Sequence, residues 1–294
     1  MTEKIGFIGL GIMGQHMAKR LLQADIPLVI WNRTRSKTID LAGAGAEVVD
    51  YPRDVAARSY VVITMLSDGP ALKAVALGAN GVLESIQPES ILVDMSTVDP
   101  ESSSQVARAT EMRGAKLLRA PVSGSTGLAA AGKLSIIVSG DKKAYDKCRN
   151  FLRVMGQRLF YVGNEEEARY LKLVLNMMVG ITSQMLAEAL TFGEKAGLDW
   201  TKMLEVIANS AVESPVVTSK IEPLRERSFA PAFTVSMMLK DFDLALAAGE
   251  RLGSPMPTTS LVRQFYGMLK ATGRGNLDYS SLLLLMEELG GIEH

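Results

Sequence analysis

Short runs of apolar, mostly β-branched residues recur along the first half of the chain, with amphipathic stretches between the earlier ones. The runs predict strands at Lys4–Gly9, Leu28–Trp31, Val61–Leu66, Ile91–Met95, Lys116–Ala120, Leu134–Val138 and Arg158–Tyr161. Strands that alternate with helical crossovers imply a parallel sheet with right-handed connections. Ile91–Met95 is apolar except for Asp94, the pattern of a strand covered on both faces.

The pattern changes at Gly163. Glu165, Glu166 and Glu167 follow it, and acidic residues suit the positive end of a helix dipole. An apolar-periodic stretch without proline then runs to Gly197, and only helical patterns follow: Trp200–Ser210, Val216–Arg227, Val235–Leu252, Thr258–Thr272 and Tyr279–Leu289. The predicted organisation is an N-terminal α/β domain over 1–163, a connecting helix over 164–196 and an all-α domain over 197–294.

Composition narrows the function. Lys+Arg and Asp+Glu both total 32, so the chain lacks the basic excess of a dedicated nucleic-acid surface. The single cysteine, Cys148, rules out an internal disulfide and a cysteine metal cluster, and its place in an apparent helix reads as buried filler. The expected metal content is none. The chain opens into an apolar strand without a leader pattern, and no uninterrupted apolar run approaches the roughly 20 residues that span a bilayer. The expectation is a cytoplasmic protein without a membrane segment.

The first strand runs into Gly9-Leu10-Gly11-Ile12-Met13-Gly14 and then a helix. This is G-x-G-x-x-G in the strand–turn–helix context that gives it meaning. Gly9 permits the tight turn, Gly11 lets a pyrophosphate approach the backbone, and Gly14 lets helix and strand pack closely. The helix N-terminus adds N–H donors and positive potential. The second strand ends in Trp31-Asn32-Arg33-Thr34-Arg35, without the acid that binds the ribose 2′-hydroxyl of NAD. Arg33 can stack on adenine and pair with a 2′-phosphate, with hydrogen bonds from Asn32 and Thr34. The expected cofactor is NADP, with NAD as the lesser possibility. Met65, Leu66 and Ser67, at the end of the Val61–Leu66 strand, are further candidate cofactor contacts.

Hydride exchange with a carbonyl needs a proton partner for its oxygen. The two histidines are poor candidates: His16 lies in the first turns of the cofactor helix, and His294 is the last residue. A Tyr-x-x-x-Lys pair at Tyr266 and Lys270 falls among the last helices, where chance spacing explains it. Lys172 is embedded in an apolar run, Ala168-Arg169-Tyr170-Leu171-Lys172-Leu173-Val174-Leu175-Asn176, with Asn176 one turn along the same face. A lysine desolvated there, near other cationic groups, would exchange protons nearer neutrality, whereas periodicity alone fits a snorkelling surface lysine equally well.

These residues closely resemble the β-hydroxyacid dehydrogenase family, over essentially the whole chain. The matching blocks are the glycine loop, Asp94-Met95-Ser96-Thr97, Ala120-Pro121-Val122-Ser123-Gly124, Lys172 with Asn176, and Lys240-Asp241. The resemblance implies a Rossmann-type doubly wound parallel sheet, a long connecting helix and an all-α C-terminal domain, as in 6-phosphogluconate dehydrogenase. It implies that Thr97 lies by the nicotinamide end and that Ser123 and Gly124 bind a substrate carboxylate. It further implies that Lys172 is the acid/base oriented by Asn176, and that Lys240 lines the cleft for cofactor and substrate. The implied reaction interconverts a small β-hydroxy acid and its semialdehyde, or reduces glyoxylate or succinic semialdehyde. The helical domain is expected to build a homodimer or homotetramer, with the active site in the cleft between domains.

Four features depart from the family pattern. Arg119 stands where an acid usually precedes Ala-Pro-Val-Ser-Gly, and Ser125 replaces a frequent second glycine, as in the glyoxylate/succinic semialdehyde group. The glutamate run replaces a Gly-x-Gly, and Leu175 replaces a common asparagine. Two other readings compete: an imine reductase, which usually lacks the lysine, and a non-catalytic NADP-binding module.

Overall fold

The computed structural model describes residues 4–294; the expectation about a leader concerns residues ahead of these and lies outside them. Nine strands form one sheet: β1 (Ile5–Ile8), β2 (Leu28–Trp31), β3 (Glu47–Val48), β4 (Val61–Thr64), β5 (Ile91–Asp94), β6 (Lys116–Arg119), β7 (Val122–Ser123), β8 (Leu134–Gly140) and β9 (Gly156–Gly163). The order is β3-β2-β1-β4-β5-β6-β8-β7, with β9 also on β8. β3 through β6 are parallel in the order of a dinucleotide-binding sheet.

Alternate strand residues feed the two faces. Ile5, Phe7, Ile30, Ile63 and Val93 enter one core, whereas Ile8, Val29, Val62 and Leu92 enter the other. The sheet is not wholly parallel. β8 runs antiparallel to β6 and β7, because only the short helix Thr126–Ala130 connects β7 to β8 and no full crossover can form. β3 and β7, two residues each, carry too little periodicity to be read from sequence.

Aspartates cap the helices that bring the chain back between strands. Asp68, Asp99 and Asp141 accept from Ala71, Ser102 and Ala144 N–H groups at 2.7–2.8 Å. The chain divides into two compact units, residues up to Lys172 and residues from Leu173 onward. The boundary falls inside a 29-residue helix, Glu167–Lys195, called the long helix below. It begins at the last residue of the glutamate run, and Gly197 at φ +76° follows its end.

The second unit is helical: Trp200–Ala208, Pro215–Arg225, Val235–Leu252, Pro257–Leu269 and Leu282–Leu289 pack with the Leu173–Lys195 part of the long helix. Leu190, Leu204, Phe242, Tyr266 and Leu282 are fully buried in its core. By length and composition alone the long helix is apolar enough to cross a membrane, contrary to the expectation from uninterrupted runs. Its polar residues Asn176, Ser183, Gln184 and Thr191 are nevertheless buried, as in a helix packed against protein.

Candidate active site

The C-terminal ends of parallel strands gather loops on one edge of the sheet, where doubly wound folds bind ligands. β1 ends in the glycine loop. Gly9 has φ +98°, and a Cβ there would lie 2.3 Å from the Met65 carbonyl oxygen. A Cβ on Gly14 would lie 2.0 Å from the Gly9 carbonyl oxygen, so only glycine lets the helix Gly14–Gln23 start this close to the strand. A Cβ on Gly11 meets nothing within 4 Å. The first and third glycines thus serve the fold, and the second borders open space, which fits a pyrophosphate approaching the backbone. Leu10 is buried, Met13 is half-buried and Ile12 is exposed.

Asn32, after β2, accepts from the Leu10 N–H at 2.8 Å and donates to the Thr34 carbonyl at 2.8 Å. Its amide therefore ties the glycine loop to the β2 loop. Arg33 and Thr34 are exposed beside it, and Arg35 is paired with Asp50. Met65 N–H donates to Ile8 and Leu66 N–H to the Ser96 hydroxyl, at 2.9 and 2.8 Å, which fixes the loop after β4 against those after β1 and β5. Ser67 is exposed and donates to Asp68, and Thr97 is half-buried after β5.

The buried end of β5 carries a polar network that local sequence patterns do not announce. Asp94 is fully buried and accepts from the Thr64 and Ser96 hydroxyls at 2.6 Å each. It also pairs with Arg169, itself 1% exposed, whose other nitrogens donate to the Ser96 carbonyl at 2.6 Å and the Ser103 hydroxyl at 3.1 Å. A charge this buried is tolerated only when paired and hydrogen-bonded, as both are here. The signal available in sequence was an acid inside an apolar strand, though not its partner.

Arg169 lies three residues ahead of Lys172, so the network anchors the turn that carries the lysine. Lys172 is 9% exposed, so it is not a snorkelling surface lysine. Asn176 is also buried and donates to Asp241 within the helical unit. Lys240 lies 2.9 Å from the same carboxylate, so Asp241 joins Asn176 and Lys240. Ser123 is half-buried in β7, and Gly124 at φ +141° follows it. Ser125, one of the departures, caps the short helix Thr126–Ala130 through the Leu128 N–H. Arg119 and the glutamate run, two others, are partners: Arg119 Nε and Nη2 both donate to Glu166 Oε1, at 2.9 and 2.6 Å.

The remaining titratable candidates have other roles. Tyr266 is fully buried, and burial pushes its hydroxyl well above the usual tyrosine range. Cys148 is buried and its thiol is pushed up to about 12, which suits filler and not a nucleophile. His294 lies 3.3 Å from Glu194 and 3.4 Å from Glu287, in an ion-pair arrangement within the helical unit.

A strand–glycine loop–helix heading a parallel sheet, followed by a helical unit, defines a dinucleotide-binding oxidoreductase architecture. Comparison with known proteins agrees. Residues 4–163 match the family described as the NAD binding domain of 6-phosphogluconate dehydrogenase, and residues 167–286 the family described as NAD-binding of NADP-dependent 3-hydroxyisobutyrate dehydrogenase. The chain is 35% identical to the chloroplastic glyoxylate/succinic semialdehyde reductase 2 of Arabidopsis thaliana, covering 96% of this chain and 79% of that protein. It is 33% identical to the 2-(hydroxymethyl)glutarate dehydrogenase of Eubacterium barkeri, over 98% and 96% of the two chains. The solved 3-hydroxyisobutyrate dehydrogenase of Mycobacterium tuberculosis superimposes with a TM-score of 0.88 at 27% identity, covering 97% and 99%. The chain belongs to the 3-hydroxyisobutyrate dehydrogenase family and is a nicotinamide-dependent oxidoreductase of that family.

Proposed function

We propose that this chain uses NADPH to reduce a small carboxylate-bearing aldehyde, or runs the reverse oxidation of the hydroxy acid, with Lys172 as the acid/base. The observation that carries the reading is a buried lysine three residues beyond Arg169, which pairs with Asp94 at the C-terminal end of β5. The relatives named as semialdehyde reductase and hydroxy-acid dehydrogenase support the substrate class.

The residues would divide the work as follows. The glycine loop and the helix N-terminus after it would hold the pyrophosphate, and Arg33 the 2′-phosphate. When bound, the nicotinamide supplies or accepts the hydride. Ser123 and Gly124 would anchor the substrate carboxylate. Lys172 would give a proton to the carbonyl oxygen in reduction and take it from the hydroxyl in oxidation, with Asn176, one turn on, orienting it. The protonated amine also stabilises negative charge building on that oxygen.

Assays of small semialdehydes and hydroxy acids with NADPH, NADP, NADH and NAD test the reading. Wild type should prefer NADPH by at least about tenfold in kcat/KM, roughly 1.4 kcal/mol, and Arg33→Asp should remove that preference. Turnover of cyclic imines without turnover of any semialdehyde would point to an imine reductase instead.

The long helix supports an assembly of more than one copy. Val174, Met178, Met185 and Phe192, spaced by four and seven residues on one face, are 46–74% exposed. A second copy of the chain is the proposed cover for this stripe. Light scattering should find a dimer or larger assembly, and a monomer at micromolar concentration would overturn the assignment.

A further inference from the structure

The start of the long helix is gripped by a cross-strand pair of residues. Arg119 and Ser139 face each other across the β6–β8 ladder. Arg119 holds the Glu166 carboxylate with two nitrogens, and both side chains are largely withdrawn from solvent, at 6% and 14% exposure. Ser139 donates to the Glu165 carbonyl at 2.6 Å and accepts from the Ala168 N–H at 3.2 Å. The segment from Glu165 to Ala168 is therefore fixed to two adjacent strands.

Two short, stiff pieces of chain leave this grip. One runs from Arg119 through Pro121 to Ser123, where Val122 and Ser123 pair with Ile136 and Ser135 and the Pro121 carbonyl accepts from the Ile137 N–H at 3.0 Å. The other runs up the helix from Glu166 to Lys172, a rise of about 9 Å at 1.5 Å per residue. Apart from Ala120, Pro121 and Glu166, every residue of the two pieces lies in a strand or in the long helix. The separation of Ser123 and Lys172 is therefore governed by the place where the two pieces are joined.

We infer that the Arg119–Glu166 ion pair is a positioning device that sets the distance between the carboxylate anchor at Ser123 and the proton-transferring amine of Lys172. The inference rests on the roles proposed for those two residues. A substrate held at its carboxylate and reacting at its carbonyl is attached at two points, so it senses that distance. An aldehyde of equal length without the carboxylate is attached only at the reacting end, and does not. The pair thus tunes the site toward acids whose carboxylate stands a set distance from the carbonyl. A misplacement of 1 Å can cost on the order of a hundredfold in rate, which gives the pair its leverage.

Single-turnover hydride transfer from NADPH to succinic semialdehyde and to butanal tests this in Arg119→Met, Glu166→Gln and Arg119→Lys, with Lys172→Ala as reference. Arg119→Met and Glu166→Gln should slow the semialdehyde reaction by about tenfold or more, within the range open to misalignment. The butanal rate and the Kd for NADPH should stay within about twofold of wild type, because neither depends on the anchor spacing. Arg119→Lys keeps the charge but not the two-nitrogen grip, and should fall between. An equal fall on both aldehydes would make the pair merely structural and overturn the inference, as would an unchanged semialdehyde rate. Should Arg119→Met not fold, Glu166→Gln decides, since it removes the charge of the pair while keeping the size and shape of the side chain. If Lys172→Ala slows neither aldehyde, the proposed function has failed; if it slows both while the pair variants slow neither, only the positioning role has failed.

Discussion

Arg169 and Asp94 form an ion pair that is almost wholly withdrawn from water, at 1% and 0% exposure, and it joins the turn ahead of Lys172 to the end of β5. The pair lies across 75 residues of sequence, and it also shares hydrogen bonds with Thr64, Ser96 and Ser103. Its net contribution to stability is small compared with the cost of breaking it, because either charge alone would be stranded in a dry interior.

Asp94→Asn should therefore destabilise the chain strongly, by roughly 3–5 kcal/mol in urea or guanidinium melts. Thr64→Val, which removes one neutral donor to the same carboxylate, should cost only about 1–2 kcal/mol. Equal losses in the two variants would mean that Asp94 acts as an ordinary hydrogen-bond acceptor and that the ion pair is incidental.

The glycine loop separates folding from binding at neighbouring positions. Gly14→Ala pushes a methyl against the Gly9 carbonyl, which only a backbone shift relieves, so it should destabilise by about 1–3 kcal/mol. Gly11→Ala meets no protein atom, so stability should stay within about 0.5 kcal/mol of wild type. The same methyl stands where the pyrophosphate is proposed to approach, so NADPH Kd should rise at least about tenfold, roughly 1.4 kcal/mol. Calorimetry on both variants reads the two effects. Unaltered NADPH binding in Gly11→Ala would remove that glycine from the cofactor site.

These positions also show how far the sequence could be read. The strand pattern, the glycine loop and the acidic start of the long helix are local signals, carried by residues within a few positions of each other. Lys172 stood out for the same reason, as a charge inside an apolar run. What stayed hidden are partnerships between distant segments. Asp94 and Arg169 are each visible as residues, and so are Arg119 and Glu166, 47 positions apart, but no local period says which charge meets which. Arg119 and the glutamate run read as two separate oddities until the fold placed them together. The antiparallel turn of β8 was missed because the parallel reading assumed a crossover helix that the Thr126–Ala130 segment is too short to supply.

In the helical unit, Glu194 gives stability a pH dependence whose sign is fixed. Burial, then the neighbouring Glu287 carboxylate, holds the Glu194 carboxyl above the usual glutamate range, while His294 and Arg227 pull it the other way. The folded chain thus keeps a proton that the unfolded chain has already released. This group's stabilisation is complete below the ordinary glutamate value and is lost as pH rises through the raised folded value. Glu194→Gln, a permanent mimic of the protonated form, should flatten that decline in urea melts run from about pH 4 to 7. A variant whose slope matches that of wild type would show that the proton is held elsewhere.

Lys172 carries the functional reading, and its replacement is the most direct test of it. Lys172→Ala should slow hydride transfer by several orders of magnitude while leaving NADPH binding near wild type. Proton transfer by a positioned group contributes about 10²–10⁴-fold, and loss of the ammonium also removes stabilisation of the developing alkoxide. Lys172→Arg should not restore the rate, since a guanidinium stays protonated and its planar fork does not match an ammonium. Asn176→Ala should be milder, because that side chain orients and carries no proton, and part of its hydrogen bonding is to Asp241. Ser123→Ala should act chiefly on KM by weakening the carboxylate anchor. The measurement must be the pre-steady-state hydride-transfer rate, since slow product release would hide a chemical defect in kcat. A Lys172→Ala variant that transfers hydride within about tenfold of wild type, below the span expected of an acid/base, would reduce this buried lysine to a structural residue.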